Sequence, residues 1–129
     1  MNDIFNTLIT IKNSLIAKQT ECIIKPKHAP SCFRILRILY EEGYILNYVY
    51  DTQHNLILVT HNYYNHRPTL TVLKLFNKAS FPVYLKYTDL ASIHKFGIDL
   101  IILSTSKGML PHYKALKYRL GGRAICYVR

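Results

Sequence analysis

The chain has 129 residues, enough for one domain or for two very small ones. Half of its residues are hydrophobic and 12% are aromatic, so the chain can bury a core and is not intrinsically disordered. Five glycines and five prolines exclude a collagen-like or low-complexity chain. The formal net charge is +10, and a positive field of this size attracts polyanions, either nucleic acid or an anionic membrane surface.

The positive charge is concentrated in the second half of the chain. Residues 1–65 contain six basic and five acidic residues, a net charge of +1. Residues 66–129 contain eleven basic residues against Asp89 and Asp99, a net charge of +9. A polyanion is therefore expected to bind the second half. A generally basic surface without a specific partner is the alternative, but it does not explain the asymmetry.

The order α-β-α-β-β is predicted for the first half. Apolar residues recur at helical spacing from Ile4 to Leu15, and Asp3 before them is a residue type that caps helices. A second helix is expected to begin at Ser31 and to end at Gly43, because glycine tolerates the left-handed cap conformation. Runs of apolar, β-branched and aromatic residues predict strands at 22–25, 44–50 and 56–62.

The polar segment Tyr63–Pro68 coincides with the change in charge and is the expected boundary between two small domains, 1–65 and 66–129. Beyond it, a short helix is predicted over Asp89–Lys95, capped by Thr88, and another helix runs from Pro111 to the stop at Gly121. Strands are predicted at 69–76, 83–87, 99–103 and 124–128, with a turn at 78–82. The sequence therefore predicts an α+β fold whose C-terminal unit is mainly antiparallel sheet with one or two helices.

The cysteines and histidines form no convincing metal or disulfide motif. The chain has three cysteines, and this odd number without a Cys-x-x-Cys pair argues against a disulfide framework. Cys22 and Cys126 lie in strand-like apolar runs, so we interpret them as small core residues. His61 and His66 have a spacing that occurs in metal sites, but no cysteine or carboxylate cluster joins them. No apolar stretch approaches the roughly 18–20 residues of a membrane helix. We expect no metal, no cofactor, no small-molecule substrate and no membrane partner.

The segment Ser104-Thr105-Ser106-Lys107-Gly108 follows a buried strand and precedes a helix in the predicted order. Its hydroxyl and backbone N–H groups are expected to converge at the N-terminus of that helix, which suits hydrogen bonding to phosphates or base edges. It is not a Walker loop, because the upstream glycine is absent and Lys107 precedes Gly108. Ser104 and Lys107 match the Ser-x-x-Lys spacing of serine acyl-transferases, but the companion motifs are lacking. A polar turn with a purely structural role is the other interpretation.

Together with Gly121-Gly122 and the C-terminal Ile125-Cys126-Tyr127-Val128, this segment resembles the ribosomal protein S8 family of the small subunit. Thr10-Ile11-Lys12-Asn13 and Glu41-Glu42-Gly43-Tyr44 are similar to the family as well, so the resemblance covers essentially the whole chain. It implies a two-domain α+β fold and direct binding to the central domain of small-subunit rRNA, whose assembly the family assists. The implied protein is a structural constituent of the small ribosomal subunit and not an enzyme.

The resemblance implies that Ser104–Gly108 lines the RNA site and that Gly121 and Gly122 lie nearby. Lysine and arginine side chains of the second half add an attraction to phosphates that does not depend on RNA sequence, and Tyr84 or Tyr87 is a candidate for stacking on bases, although strand tyrosines are more often core. The predicted RNA-binding residues are Ser80, Lys86, Ser104, Thr105, Ser106, Lys107, Gly108, Lys114, Lys117, Gly121, Gly122 and Arg123. The near-neutral N-terminal domain is expected to contact neighbouring ribosomal proteins.

The chain departs from the family pattern at two places. Ser80-Phe81-Pro82-Val83 resembles the family's Ser-Arg-Pro-Gly turn without its arginine and glycine, and Arg123 stands where the family usually has glutamate. These departures indicate a partly altered RNA or a divergent ribosome. Abundant Lys, Asn, Ile and Tyr without Trp are typical of A+T-rich genomes. We expect a mitochondrial ribosome, with a plastid or an A+T-rich bacterial cytoplasm as the alternatives.

Two other functions stay open at this point. One is an unrelated basic module that binds DNA, which a preference for duplex DNA over structured RNA would support. The other is a small hydrolase that uses Ser104 or Ser106 with Lys107, which labelling by an active-site serine probe would support.

Overall fold

The computed structural model describes residues 2–76, 82–95 and 99–129, which form two compact units, Met1–Thr71 and Val72–Arg129. The first unit is a three-stranded antiparallel sheet in the order β1-β3-β2, and its helices contact β1 and β2. Its elements are α1 (Asn2–Ile16), β1 (Glu21–Ile24), α2 (Ala29–Glu41), β2 (Ile45–Asp51) and β3 (Leu56–His61), followed by a short hairpin of β4 (Tyr63–Tyr64) and β5 (Arg67–Pro68). The predicted order α-β-α-β-β is confirmed.

The apolar stripe of α1 forms much of the core of this unit. Ile4, Leu8 and Ile11 are buried, as their helical spacing predicts. Asp3 was expected to precede α1 and cap it, but it lies inside the helix. Its carboxylate accepts hydrogen bonds from the backbone N–H groups of Lys27 and His28, immediately before α2. Asp3 therefore links α1 to the start of the second helix, a contact between residues 24 and 25 positions apart.

The second helix begins earlier than Ser31 and ends where the glycine predicts. It starts at Ala29, with His28 as the N-cap residue, and the Ser31 hydroxyl lies 2.7 Å from His28 Nδ1. Ser31 is therefore inside the first turn. At the other end Gly43 has a φ of +81°, and the N–H of Tyr44 donates to the carbonyl of Leu39. Gly43 thus has the left-handed conformation expected of it.

The second unit is an antiparallel sheet in the order β6-β10-β8-β9, with β7 also paired to β10. Helices α3 and α4 contact each other, and α4 also contacts β8 and β9. The prediction of an antiparallel C-terminal unit with one or two helices is therefore confirmed. The elements are β6 (Leu73–Leu75), β7 (Tyr84–Leu85), α3 (Tyr87–Lys95), β8 (Leu100–Thr105), β9 (Gly108–Pro111), α4 (His112–Lys117) and β10 (Gly122–Val128). Most of the turn expected at 78–82 lies outside the described residues.

Both helices of this unit differ in detail from the sequence prediction. The first turn of α3 is capped by Asp89, whose carboxylate accepts the N–H of Lys86, and not by Thr88. Helix α4 ends at Lys117, before the glycine pair, because Arg119 adopts a φ of +54° and the Leu120 N–H returns to the Ala115 carbonyl. The helix therefore stops through a non-glycine residue in the left-handed conformation, before the predicted stop at Gly121.

The compact units divide between Thr71 and Val72, whereas the sequence placed the division between 65 and 66. The segment after β3 is attached to the first unit by hydrogen bonds. The Tyr63 hydroxyl donates to the Gln19 carbonyl at 2.6 Å, and the Thr69 N–H donates to the Asn62 carbonyl at 2.8 Å. Leu70 is also buried. These contacts keep the polar segment with the domain that precedes it.

Candidate nucleic-acid interface

The segment 104–108 is the end of a β-hairpin. Ser104 and Thr105 belong to β8, Gly108 begins β9, and Ser106 and Lys107 form the turn between the paired residues Thr105 and Gly108. Gly108 has a φ of +97°, a conformation in which a side chain would be strained. The prediction that this segment joins a strand directly to a helix is wrong, because β9 pairs with β8 before α4 begins. Its N–H groups do not belong to a helix N-terminus.

The two middle hydroxyls have different roles. Thr105 Oγ1 donates to the Gly108 carbonyl at 2.8 Å and accepts the Lys107 N–H at 3.1 Å. A hydroxyl has a single hydrogen to donate, so the donor capacity of Thr105 is used inside the turn. Ser106 is exposed at the tip. Thr105 therefore shapes the turn, while Ser106 presents a hydroxyl to solvent.

Lys107 is held above the aromatic ring of Tyr118, a residue outside every motif described above. Its Nζ lies 4.4 Å from the centre of the Tyr118 ring, a cation–π contact, and Tyr118 is exposed just after α4. A local sequence pattern does not indicate this contact, because the two residues lie on different elements.

The secondary structure also bears on the Ser-x-x-Lys match, since Ser104 is on a strand and Lys107 is on a turn. They lack the helical spacing that the acyl-transferase arrangement needs.

The glycine pair lets β10 pass close to its neighbours. A Cβ atom on Gly121 would overlap the carbonyl oxygen of Leu85, and one on Gly122 would overlap the carbonyl oxygen of Ser104. Arg123 follows, paired with Ser104 on one side and Tyr84 on the other. The start of β10 therefore brings together the end of β8, with the hairpin turn beyond it, and the end of β7.

The other predicted residues have unequal positions. Lys86 follows β7, close to Gly121, and is exposed. Lys117 is exposed on α4, whereas Lys114 is half-buried. Tyr84 is 68% exposed and Tyr87 is 40% exposed, so neither tyrosine is a core residue. Ser80 and Phe81 lie outside the described residues, and Val83 uses its carbonyl to accept the N–H of Ala124 at 2.8 Å.

We name the surface at the start of β10 the sheet-end surface. It carries hydroxyl, aromatic and cationic groups on antiparallel strands and the turn that joins them. Its residues are Tyr84, Lys86, Ser104, Thr105, Ser106, Lys107, Gly108, Tyr118, Gly121, Gly122 and Arg123.

Comparison with known proteins gives the family. The family model for ribosomal protein S8 matches residues 2–129. The chain belongs to the ribosomal protein S8 family. Its relatives include proteins named small ribosomal subunit protein uS8 in Chloroflexus aurantiacus (35% identical, covering 99% of this chain and 98% of the relative) and Legionella pneumophila (35% identical, covering 97% and 95%). A protein named uS8c in the alga Gracilaria tenuistipitata var. liui is 32% identical over 99% of this chain and 98% of its own length.

The cysteines of this member of the S8 family are buried, and so is His61. All three cysteines are buried free thiols. Burial raises the pKa of Cys22 to about 11 and that of Cys126 to about 12, so these thiols stay protonated near neutral pH. His61 is buried with its Nε2 2.8 Å from Ser14 Oγ, whereas His66 is exposed. Within the described ranges, no group of three His, Cys, Asp or Glu side chains is placed to hold a metal ion.

The helices give no indication of a membrane span. Across residues 2–76, 82–95 and 99–129, none of them is both long and apolar enough to cross a bilayer.

Proposed function

We propose that the chain is a structural, non-enzymatic constituent of the small ribosomal subunit that binds the central domain of small-subunit rRNA directly and assists its assembly. The sheet-end surface is the RNA site of this proposal. The observation that carries it is the meeting of the 104–108 hairpin, the start of β10 and the end of β7 in one surface. Membership of the S8 family supports the proposal.

The chemistry of the surface suits RNA. An A-form helix displays ribose hydroxyls and base edges in a shallow minor groove, and a narrow hairpin tip with an exposed hydroxyl at Ser106 can reach them. The amine of Lys107 and the guanidinium of Arg123 attract phosphates, and the exposed ring of Tyr84 can stack on an unpaired base. The net charge of +9 in the second half of the chain strengthens the attraction. Lys114 and Lys117 contribute to this charge at longer range.

The first unit is proposed to contact neighbouring ribosomal proteins. Ile23 pairs with Leu58, and Leu58 pairs with Val49, so the three side chains form an apolar row across the sheet. All three are exposed on the face away from the helices, whereas the alternate residues Cys22 and Ile57 are buried. An exposed apolar row on a unit with little net charge suits a protein partner better than RNA.

The finer location in this proposal is the mitochondrial ribosome. Its support is compositional, namely the abundance of Lys, Asn, Ile and Tyr together with the lack of Trp. A ribosome whose rRNA has diverged also accounts for Arg123 at a position where the S8 family usually has glutamate.

Cosedimentation in high salt tests the function. We expect the protein to stay with the small subunit in a sucrose gradient, because direct contacts to rRNA and proteins survive when nonspecific charge attraction is screened. Complete release to the top of the gradient would contradict the proposal. Tighter binding to duplex DNA than to a structured RNA hairpin would favour a DNA-binding module. Stoichiometric labelling of Ser104 or Ser106 by a serine-directed probe would overturn the non-enzymatic assignment.

A further inference from the structure

The β4–β5 hairpin follows β3 in the first unit and is held to it by a hydrogen bond. Both of its turn residues, Asn65 and His66, have positive φ values, +52° and +65°. This is the turn type whose twist matches paired strands, although it usually contains glycine. The Tyr63 hydroxyl holds the hairpin to the carbonyl of Gln19 at 2.6 Å, in the connection that follows α1.

A cavity of about 470 Å³ lies between this hairpin and the end of α1. We name it the hairpin cavity. Its volume is within the range of roughly 300–1,000 Å³ typical of small-molecule sites. The residues that line it are Leu15, Lys18, Thr20, Tyr63, His66 and Pro68. All of them belong to the first unit, outside the sheet-end surface.

The lining combines apolar side chains with one cationic side chain and one imidazole. Tyr63 and Pro68 contribute ring side chains to the lining, and Lys18 and His66 contribute a side chain with an ammonium group and one with an imidazole. Lys18 is exposed and has a φ of +56°, immediately after the last turn of α1. None of the six described lining residues is a carboxylate. The cavity therefore favours a ligand that is planar and apolar at one end and anionic at the other.

We infer that the hairpin cavity binds an unstacked nucleotide of RNA, with the base against Tyr63 and Pro68 and the phosphate near Lys18 and His66. Aromatic stacking combined with cationic contact to the backbone is the usual chemistry of single-stranded nucleic-acid recognition. The site takes its RNA partner from the proposed function, but it is formed entirely by residues of the first unit. An acidic peptide lacks the planar base, so the tyrosine and proline walls favour the nucleotide.

Photocrosslinking of the full chain locates the ligand. The probe is a pentaribonucleotide of adenosines with a central 4-thiouridine, and mass spectrometry maps the crosslinked peptides. We expect crosslinks to the peptides that contain Tyr63 or Lys18. Crosslinks confined to residues 104–123 would overturn the inference, because they would place the single strand on the sheet-end surface only.

Two substitutions measure the contributions of Lys18 and His66, each with a matched control. Lys18→Gln should weaken pentamer binding about threefold to tenfold and lower the salt slope by about 0.7, the value for one phosphate of a single strand. His66→Asn should weaken binding too, and asparagine tolerates the left-handed backbone at this position. Lys12→Gln and His54→Asn remove the same groups from exposed positions outside the cavity and should leave binding unchanged. Equal losses in variants and controls would contradict a specific site.

Two further measurements separate this inference from its alternatives. A pentaglutamate peptide that displaces the pentamer from the Tyr63 crosslink as effectively as unlabelled pentamer would refute a nucleotide site. Lys107→Gln should weaken binding of the cognate rRNA hairpin and leave the crosslink at Tyr63 intact. Normal cognate binding with no crosslink in the first unit would refute the hairpin cavity alone. If the wild-type protein does not bind the cognate hairpin, the proposed function is refuted.

Discussion

The hydroxyls of Thr105 and Ser106 are expected to affect different quantities when they are removed. Thr105→Val keeps the shape of the side chain but removes two hydrogen bonds of 2.8 and 3.1 Å within the turn. A net hydrogen bond contributes about 0.5–1.5 kcal/mol, and exposure of this turn favours the lower end. The free energy of unfolding should therefore fall by about 1–2 kcal/mol. Ser106→Ala removes an exposed hydroxyl and should change stability by less than about 0.5 kcal/mol.

RNA affinity should depend more directly on the Ser106 hydroxyl than on the Thr105 hydroxyl. Ser106→Ala should weaken binding of the cognate hairpin by about 1 kcal/mol, roughly fivefold, through one lost hydrogen bond. Thr105→Val should weaken it only as far as the turn is disturbed, and the double replacement should lose about 1–3 kcal/mol. Urea unfolding measures stability, and filter binding of cognate and scrambled hairpins across a salt series measures affinity.

The result that would refute this reasoning is specific. If Thr105→Val unfolds at the wild-type urea midpoint, the two hydrogen bonds do not stabilise the turn. If Ser106→Ala binds the cognate hairpin as tightly as wild type, its hydroxyl does not contact RNA. Both results together would leave the charge of the second half as the main argument for RNA at this hairpin.

Three other predictions address packing, charge and pH. Gly122→Ala should lower the free energy of unfolding by about 1–3 kcal/mol, because its Cβ would overlap the Ser104 carbonyl oxygen, and an unchanged urea midpoint would contradict the close approach. Lys107→Gln should weaken cognate and scrambled RNA alike and reduce the salt slope by about one, whereas loss of cognate binding alone would indicate base recognition. Lys114→Gln and Lys117→Gln should weaken both RNAs in the same way but to a smaller extent, because their charges act at longer range. Burial lowers the pKa of His61 below its usual 6.5, so the unfolded state binds the proton first. Stability should therefore fall as the pH drops from about 6.5 towards the folded pKa, and His61→Gln should flatten that dependence in urea titrations.

Local patterns predicted most of the elements because helix and strand periodicity is a property of neighbouring residues. The stripe from Ile4 to Ile11 predicted the buried face of α1. The glycine at position 43 predicted the end of α2, and its φ of +81° agrees with that prediction. The buried strand before Ser104–Gly108 was predicted from sequence, but the strand continues through Thr105 and the segment turns into β9 and not directly into a helix. The helix boundaries were less accurate, since both Asp89 and Thr88 suit a helix start and only the backbone geometry selects Asp89.

The sequence by itself determined the alternation of helices and strands, the concentration of charge in the second half and the motifs that resemble the S8 family. Only the tertiary structure decided that Asp3 binds the backbone before α2, that Lys107 lies over Tyr118, and that the glycine pair passes against Leu85 and Ser104. The physical reason is that a local pattern reports which face of an element is apolar. It does not report which distant element, in which register, comes to lie against that face.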